Sequence, residues 1–394
     1  MVSKTYNHGY RARIAKIVFI ITRADDLGGA QVHVRDLASA LRERGYDVLV
    51  LAGGGGALFD ALEERGVPYR KLEKLIRPIR PLRDWSALKE IRDALQEIKP
   101  DVVTTHSNKA GLLGRLAARS LNIAVVHTSH GFLFGGQQSN ATGRFYRLME
   151  KIGARAGDKV IAVSESEFNA AKSLGVIPAE KMVVVHNGLP DVGPRFRADP
   201  ACEPPVLVMV ARFTGPKDHP TLLKALGGLK DYSWSLQLIG AGAEMDAAKK
   251  LAAKTGIAQR VSFLGAREDI SAILAAAQVF VLSSKREGFP LSILEAMRAG
   301  LPVLASAVGG TGEAVEEEKS GLLFPPGDVK ALRKRLACLL EDPALRKNMG
   351  LAGRKRFLEK FTLEQMVNKT AAVYCNIAAL PGEGTDDAAK EIST

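Results

Sequence analysis

Cysteine is scarce in this chain: Cys202, Cys338 and Cys375 are the only three in 394 residues. Odd in number, far apart and without metal-ligand spacing, they exclude a disulfide framework and a cysteine-built metal centre, and they fit a reducing cytoplasm. Each is expected to be a small buried hydrophobe. Long apolar runs are missing as well. The first, Ile17 to Ile21, has strand length and follows Lys4, Arg11, Arg13 and Lys16, so neither a secretory segment nor a membrane-spanning helix is expected. No Asp-x-Asp occurs, which leaves a metal-bridged diphosphate without ligands, and no metal is expected. A P-loop, His-Glu-x-x-His and Gly-x-Ser-x-Gly are also absent, and Gly240-Ala-Gly242 is an incomplete dinucleotide fingerprint, so hydride transfer is a poor reading. Negative charge is in deficit too, with 43 acidic against 55 basic residues and a net charge of +12.

What is present is a globular composition, 46% apolar and 25% charged, in a chain long enough for two cores. Apolar strand-like runs alternate with helical patterns, beginning with Lys16 to Ile21, Gly29 to Arg44 and Val48 to Leu51. Such alternation predicts parallel sheets covered by helices. The order restarts after a proline-rich stretch, so the expected class is α/β, with two doubly wound Rossmann-like domains facing a cleft. Residues 1–190 form the first domain, 191–205 a linker, and 206–360 the second. Asp328 to Leu340 and Pro343 to Leu380 read as helices, and residues 381–394 as a polar, disordered tail.

The positive charge is uneven: residues 1–190 carry a net +9 and the remainder +3. Its densest part is Tyr69 to Arg92, where Arg77, Arg80 and Arg83 interleave with Ile79, Leu82 and Trp85. Basic and apolar residues mixed in this way suit an anionic lipid surface, although a plain solvated basic face has the same look. Nucleic acid is not expected, because no helix-turn-helix, zinc-finger or RNA-recognition pattern accompanies the charge.

Open parallel sheets bind ligands at the C-terminal ends of their strands, and five motifs fall at predicted strand exits. Gly28 and Gly29 follow the first strand and open a helix, allowing close backbone approach to an anion. His130 follows Val125 to Thr128, a position that a purely structural histidine could also fill. Arg212 and Lys217 follow Val206 to Ala211, and the Gly215-Pro216 turn would fold one cation back toward the other, enough to neutralise a diphosphate leaving group. Glu287-Gly-Phe-Pro-Leu-Ser-Ile-Leu-Glu295 follows Val279 to Ser283. With Pro290 at the first helical position, the amides of Gly288, Phe289 and Leu291 would gather at a helix N-terminus that attracts phosphate. Glu287 and Glu295 then suit sugar hydroxyls, the alternative being a helix-favouring anion and a solvated face. Last, Gly309-Gly310-Thr311-Gly312-Glu313 follows Pro302 to Ala305.

These motifs resemble the family 4 retaining glycosyltransferases of the GT-B fold, over nearly the whole chain. Thr105-His-Ser-Asn-Lys-Ala-Gly111, His127-Thr-Ser-His-Gly131, Ala162-Val-Ser-Glu-Ser166 and His186-Asn187-Gly188 extend the resemblance to the branch that builds bacterial capsule, exopolysaccharide and O-antigen. The loop after Gly310 reads Thr311-Gly312 where the family often has a bulkier residue and a proline. The resemblance implies a retaining, metal-independent hexosyltransferase that needs no cofactor. Its donor would be a nucleotide sugar, uridine-linked by the habits of the branch, and its acceptor a polyprenyl-diphosphate-linked saccharide. The protein would be cytoplasmic, peripheral on the inner face of the cytoplasmic membrane. By the same resemblance, Arg212 and Lys217 hold the donor diphosphate and Glu287 accepts from sugar hydroxyls with the Gly288 to Leu291 amides nearby. Glu295 binds ribose, Gly29 approaches the distal phosphate, and His130 lies near the reacting carbon. Lys109 and the basic segment face the lipid acceptor, and residues 361–380 form a helix returning to the first domain. A catalytically silent relative acting in assembly, and a sugar-nucleotide epimerase of the same fold, are the alternatives.

Overall fold

A computed structural model describes residues 15–131 and 141–378; the expected tail at 381–394 lies outside them. Thirteen strands and fourteen α-helices alternate along the described chain. The strands of the first sheet are β1 (Lys16–Ile21), β2 (Asp47–Gly53), β3 (Tyr69–Leu72), β4 (Val102–His106), β5 (Ala124–Ser129), β6 (Lys159–Ala162) and β7 (Met182–Val184). Between them run α1 (Gly29–Glu43), α2 (Ala57–Glu63), α3 (Pro81–Ile98), α4 (Asn108–Ser120), α5 (Ala141–Ala156) and α6 (Glu165–Ser173). The second sheet comprises β8 (Val206–Val210), β9 (Ser235–Ile239), β10 (Val261–Gly265), β11 (Val279–Leu282), β12 (Val303–Ser306) and β13 (Gly321–Phe324). Its connections are α7 (His219–Leu226), α8 (Met245–Lys254), α9 (Ile270–Ala275), α10 (Leu291–Ala299) and α11 (Thr311–Ala314), and α12 (Val329–Glu341), α13 (Pro343–Lys360) and α14 (Leu363–Ala378) complete the chain.

The sheet orders are β3-β2-β1-β4-β5-β6-β7 and β10-β9-β8-β11-β12-β13. Each reverses direction once, at β1/β4 and at β8/β11, and such switch points open the crevices in which doubly wound sheets bind ligands. Contacts group the chain into two compact units. One holds residues up to Thr128, Leu148–Val160 and residues from Lys369; the other holds Ser129–Arg147 and Ile161–Asn368.

In the first unit, Val18, Ile20, Leu51 and Val103 project from the sheet onto Ile91, Leu95, Ala110 and Ala117 of α3 and α4. Helix α3 opens with Pro81 in its first turn and closes at Lys99, which takes a left-handed conformation with φ 51°. Arg115 of α4 is fully buried, paired with Glu150 at 2.8 Å and donating to the Gly111 carbonyl at 2.7 Å. Toward the C-terminus, the Tyr374 hydroxyl donates to Thr104 Oγ1 at 2.9 Å, so part of α14 packs within this unit.

The second unit has the larger core, built on Leu207, Met209, Phe280, Val281, Leu304 and Ile293, all fully buried. Residues 191–205, the expected linker, are tied down rather than loose. Arg346, fully buried, donates to the carbonyls of Pro200 (2.7 Å) and Cys202 (3.2 Å) and pairs with Glu203 (2.6 Å). Arg354 holds Asp191.

Several expectations are corrected. The stretch from Pro343 to Leu380 holds two helices, α13 and α14, divided where the 360/361 boundary was expected: Thr362 leaves the helical path to bridge Leu189, with Leu189 N–H donating to Phe361 O (3.0 Å) and Leu363 N–H to Leu189 O (2.8 Å). Strands β3 and β13 were not expected. Tyr-Arg-Lys-Leu makes an edge strand with three exposed residues and only Leu72 buried, and β13 begins with a glycine. Cys202 and Cys338 are exposed, leaving Cys375 as the one buried cysteine. Pro290 is the N-cap of α10, at φ −74° and ψ 122°, so Leu291 is the first helical residue.

Candidate active site

In the second unit, β8 and β11 are parallel neighbours, and the loops leaving their C-terminal ends meet. After β8, Gly215–Lys217 forms a single 3-10 turn and Asp218 turns left-handed (φ 49°) before α7. After β11, the buried Ser283 hydroxyl donates to Asp218 O at 3.0 Å, and Lys285 N–H donates to Pro216 O at 2.7 Å. These backbone ties set the side chains facing each other: Lys217 Nζ lies 2.6 Å from Glu287 Oε1. The Glu287 side chain is only 8% exposed, so the pair sits largely out of water, where an ion pair is poorly screened. Arg212, on the same loop as Lys217, is exposed.

The loop from Glu287 to Pro290 is braced from several directions. Gly310 N–H donates to Gly288 O at 2.8 Å, and Asn187 Nδ2 donates to Phe289 O at 2.8 Å. Gly309 has φ 51°, and a Cβ there would stand 1.9 Å from Glu287 O, so only glycine fits. Gly288 is crowded to a lesser degree, since a Cβ would come within 3.1 Å of both Glu167 Oε1 and the amide nitrogen of Gly131. That contact sets the His130-Gly131 turn, which follows β5 and groups with this unit, beside the Gly288 loop. Helix α10 then begins, carries half-buried Glu295 in its second turn, and is capped by Gly300.

Glu313 plays a part that sequence reasoning missed. Its Oε2 accepts from Glu165 N–H at 2.8 Å and lies 2.8 Å from His186 Nε2, while its Oε1 accepts from Ser166 N–H at 2.8 Å. Ser164 Oγ accepts from Glu167 N–H at 3.2 Å, so two side chains satisfy the first three amides of α6. Burial, the largest single influence, pushes the Glu313 carboxyl up, but His186 and the two amides outweigh it and hold it below the usual range. The His186 ring in turn lies 4.7 Å from that of Phe289, so Ser164-Glu165-Ser166, His186-Asn187 and Gly309 to Glu313 brace one loop together. Thr311, where the family often differs, is buried and donates to Ser306 O at 2.7 Å, which closes the turn without a proline.

In the first unit, Gly28 is the N-cap of α1 and Gly29 its first residue, at the end of the loop that leaves β1. Ser107 and Lys109 follow β4 on the other side of the switch point, and Thr22 Oγ1 lies 2.6 Å from Ser107 Oγ. Lys109 is not directed into open solvent. Its ammonium pairs with Asp84 at 2.6 Å and donates to Pro78 O, and its side chain is 12% exposed. Arg83 donates to the carbonyls of Glu73 (3.0 Å) and Lys74 (3.3 Å), whereas Arg77 and Arg80 are exposed.

Two parallel, doubly wound sheets, the second with a cationic loop and an acidic helix-opening loop meeting at its switch point, make up the GT-B fold. Residues 27–191 match the model of Glycosyltransferase Family 4 and residues 195–356 that of the Glycosyl transferases group 1. The chain belongs to the family 4 glycosyltransferases. It is 29% identical over 349 residues (84% of this chain, 89% of the relative) to the UDP-Gal:alpha-D-GlcNAc-diphosphoundecaprenol alpha-1,3-galactosyltransferase of Escherichia coli. It is 25% identical over 392 residues (92% and 97%) to the N-acetyl-alpha-D-glucosaminyl L-malate synthase of Bacillus anthracis. Anabaena HepE in complex with UDP and glucose shares the fold, with a TM-score of 0.78 at 22% identity over 90% of this chain and 98% of that one.

Proposed function

We propose that this protein moves a hexose or N-acetylhexosamine, with retention, from a uridine-linked nucleotide sugar to a polyprenyl-diphosphate-linked saccharide in surface polysaccharide synthesis. It would work while peripherally bound to the inner face of the cytoplasmic membrane. The observation that carries this reading is the meeting of Lys217 and Glu287 at the β8/β11 switch point, with Arg212 exposed on the same loop. An arriving diphosphate competes with Glu287 for Lys217 and recruits Arg212. Glu287 is then released to accept from sugar hydroxyls, while Glu295 takes the ribose.

On this reading Gly28 and Gly29 approach the distal phosphate, and His130, beside the Gly288 loop, lies near the reacting carbon. Departure and attack occur on one face of the sugar, and the leaving diphosphate itself takes the acceptor proton. Catalysis rests on positioning and on stabilising the charge that develops on that diphosphate, so no protein nucleophile, metal or cofactor enters the scheme. The lipid-linked acceptor is favoured by the diphosphoundecaprenol substrate in the name of the E. coli relative. No helix of the described residues is long and apolar enough to cross a membrane.

Arg212→Ala is the test. Being exposed, Arg212 is dispensable for the core, so the melting temperature should stay unchanged while turnover falls about 100- to 1000-fold, the usual cost of one electrostatic group at developing charge. The assay reads nucleotide release with detergent-solubilised polyprenyl-diphosphate sugars. Unchanged transfer in the folded variant would sink the assignment, and release with guanosine donors alone would sink the uridine part.

A further inference from the structure

Three large apolar side chains stand in solvent between β3 and the second turn of α3: Ile79 is 55% exposed, Leu82 89% and Trp85 72%. They sit on backbone that is firmly held. Lys109 reaches from the start of α4 to Pro78 O and to Asp84, and Asp84 accepts from Arg80 N–H at 3.0 Å. Arg83 grips the carbonyls of Glu73 and Lys74, and Glu90 accepts from the amides of the same two residues at 2.8 and 2.9 Å. A chain spending four charged side chains on fixing one turn, and then directing its apolar residues outward, has built a rigid ridge rather than a slack loop.

The surroundings of the ridge identify its occupant. Arg80, Lys74 and Lys89 make no side-chain ion pair among the described residues. Lys74 and Lys89 border, with Trp85, an open groove of about 400 Å³ whose lining also holds Arg70 and the carboxylates Glu90, Asp93 and Glu97. Apolar tips that stand beside Arg80, Lys74 and Lys89, cations without an ion pair among the described residues, match the layering of an anionic bilayer, with acyl chains below and phosphates above. Resting on the membrane-bound reading above, we propose that this ridge is a preformed wedge. Ile79, Leu82 and Trp85 enter the acyl boundary of an anionic lipid bilayer, and Arg80, Lys74 and Lys89 meet its headgroup phosphates. Lys109 is then a positioning residue that locks the wedge through Asp84 and Pro78, without itself touching the acceptor.

The full chain is tested against vesicles of phosphatidylglycerol mixed with phosphatidylcholine and against phosphatidylcholine alone, without donor or acceptor. Only two tryptophans are present, and Trp234 is buried at 4% exposure, so a vesicle-induced blue shift reports Trp85 and should vanish in Trp85→Phe. Leu82→Ser combined with Trp85→Ser should lower the partition coefficient about 10- to 100-fold, and Arg80→Gln about fivefold, the latter effect lost at high salt. Lys109→Met should keep the far-ultraviolet spectrum but weaken binding to anionic vesicles. Equal partition of the double-serine variant, or no shift of Trp85 emission, would overturn the wedge. Equal binding to neutral vesicles would overturn the headgroup contacts, and tight binding of a protein in place of vesicles would move the ridge to another class of partner. Because binding is read without turnover, a protein that partitions but transfers no sugar refutes the reaction alone. One that transfers sugar without partitioning refutes the wedge alone.

Discussion

Replacing Glu313 by alanine should unlatch the N-terminus of α6, and the size of the effect follows from its three contacts. The substitution removes the acceptor for Glu165 and Ser166 N–H and the partner of His186, leaving Ser164 to cap Glu167 N–H alone. Losing an N-cap costs about 0.5–2 kcal/mol, and a hydrogen bond to a charged group contributes about 1.5–3 kcal/mol when shielded. The Glu313 side chain is 22% exposed, so water replaces part of this, and a net loss of about 2–3 kcal/mol is expected. Hydrogen exchange is the assay, because the loss is local: amides of Glu165 and Ser166 should exchange about 30- to 150-fold faster, with little change in the β8 amides. Glu313→Gln should recover only part, since its NH₂ group would meet one of the two donor amides. Acid should act as the mutation does. The native carboxyl titrates below its ordinary value of 4.5, so its contribution is complete above that value and disappears as the pH falls through the depressed one. Exchange at Glu165 and Ser166 within twofold of the unmodified protein would refute this account of the latch.

Two further outcomes are expected. His127 in the first unit and His219 in the second are both pushed down to about 4, chiefly by burial and then by Arg115 and Lys217 respectively. Each folded ring therefore stays neutral while its unfolded counterpart protonates near 6.5, so stability should be full above that value and fall toward pH 4 at roughly 1.4 kcal/mol per pH unit per ring. His219 stacks on Phe213 at 4.0 Å with neither ring nitrogen hydrogen-bonded, so His219→Phe should remove its share of that slope in urea titrations at several pH values. Arg346→Leu should destabilise the second unit by about 3–5 kcal/mol, read as a lower urea midpoint, because four backbone carbonyls and Glu203 lose a buried donor.

Sequence pattern located what depends on neighbours along the chain. The apolar run Lys16–Ile21 is a strand with the predicted limits, and Leu291–Ala299 ends at Gly300 as its composition implies. Edge strand β3 was hidden because Arg70 and Lys71 face solvent at a sheet margin, where no apolar pattern is required. The break after Lys360 came from the family resemblance and not from local pattern: Phe361 and Thr362 are acceptable in a helix, and the distant Leu189 backbone draws them out of it. The same distinction separates the site residues. Each strand exit could be read locally, but the Lys217–Glu287 pair depends on β8 and β11 being neighbours, and the Glu313 latch joins residues 148 positions apart.

Long-range bracing also explains why glycines and an asparagine accompany the acidic loop. A trans peptide plane points its C=O and the following N–H in opposite directions. The carbonyl of Glu287 faces Gly309, where no Cβ would fit, so the Gly288 amide is turned the other way. Gly310 N–H draws the carbonyl of Gly288 to the same side, which turns the Phe289 amide outward as well. Asn187 holds the carbonyl of Phe289, and the next residue, Pro290, has no N–H to direct. Two successive amides are thereby aimed in advance by residues that need not touch a ligand, beside a carboxylate already fixed by Lys217. Preset donors of this kind lose no orientational freedom when an anion arrives. Sequence motifs at 187, 288 and 309–310 therefore orient the same peptide groups; on the proposed reading Asn187→Ala should lower donor affinity, whereas a side chain at 309 or 310 would collide with the Glu287 or Gly288 carbonyl and displace the loop itself.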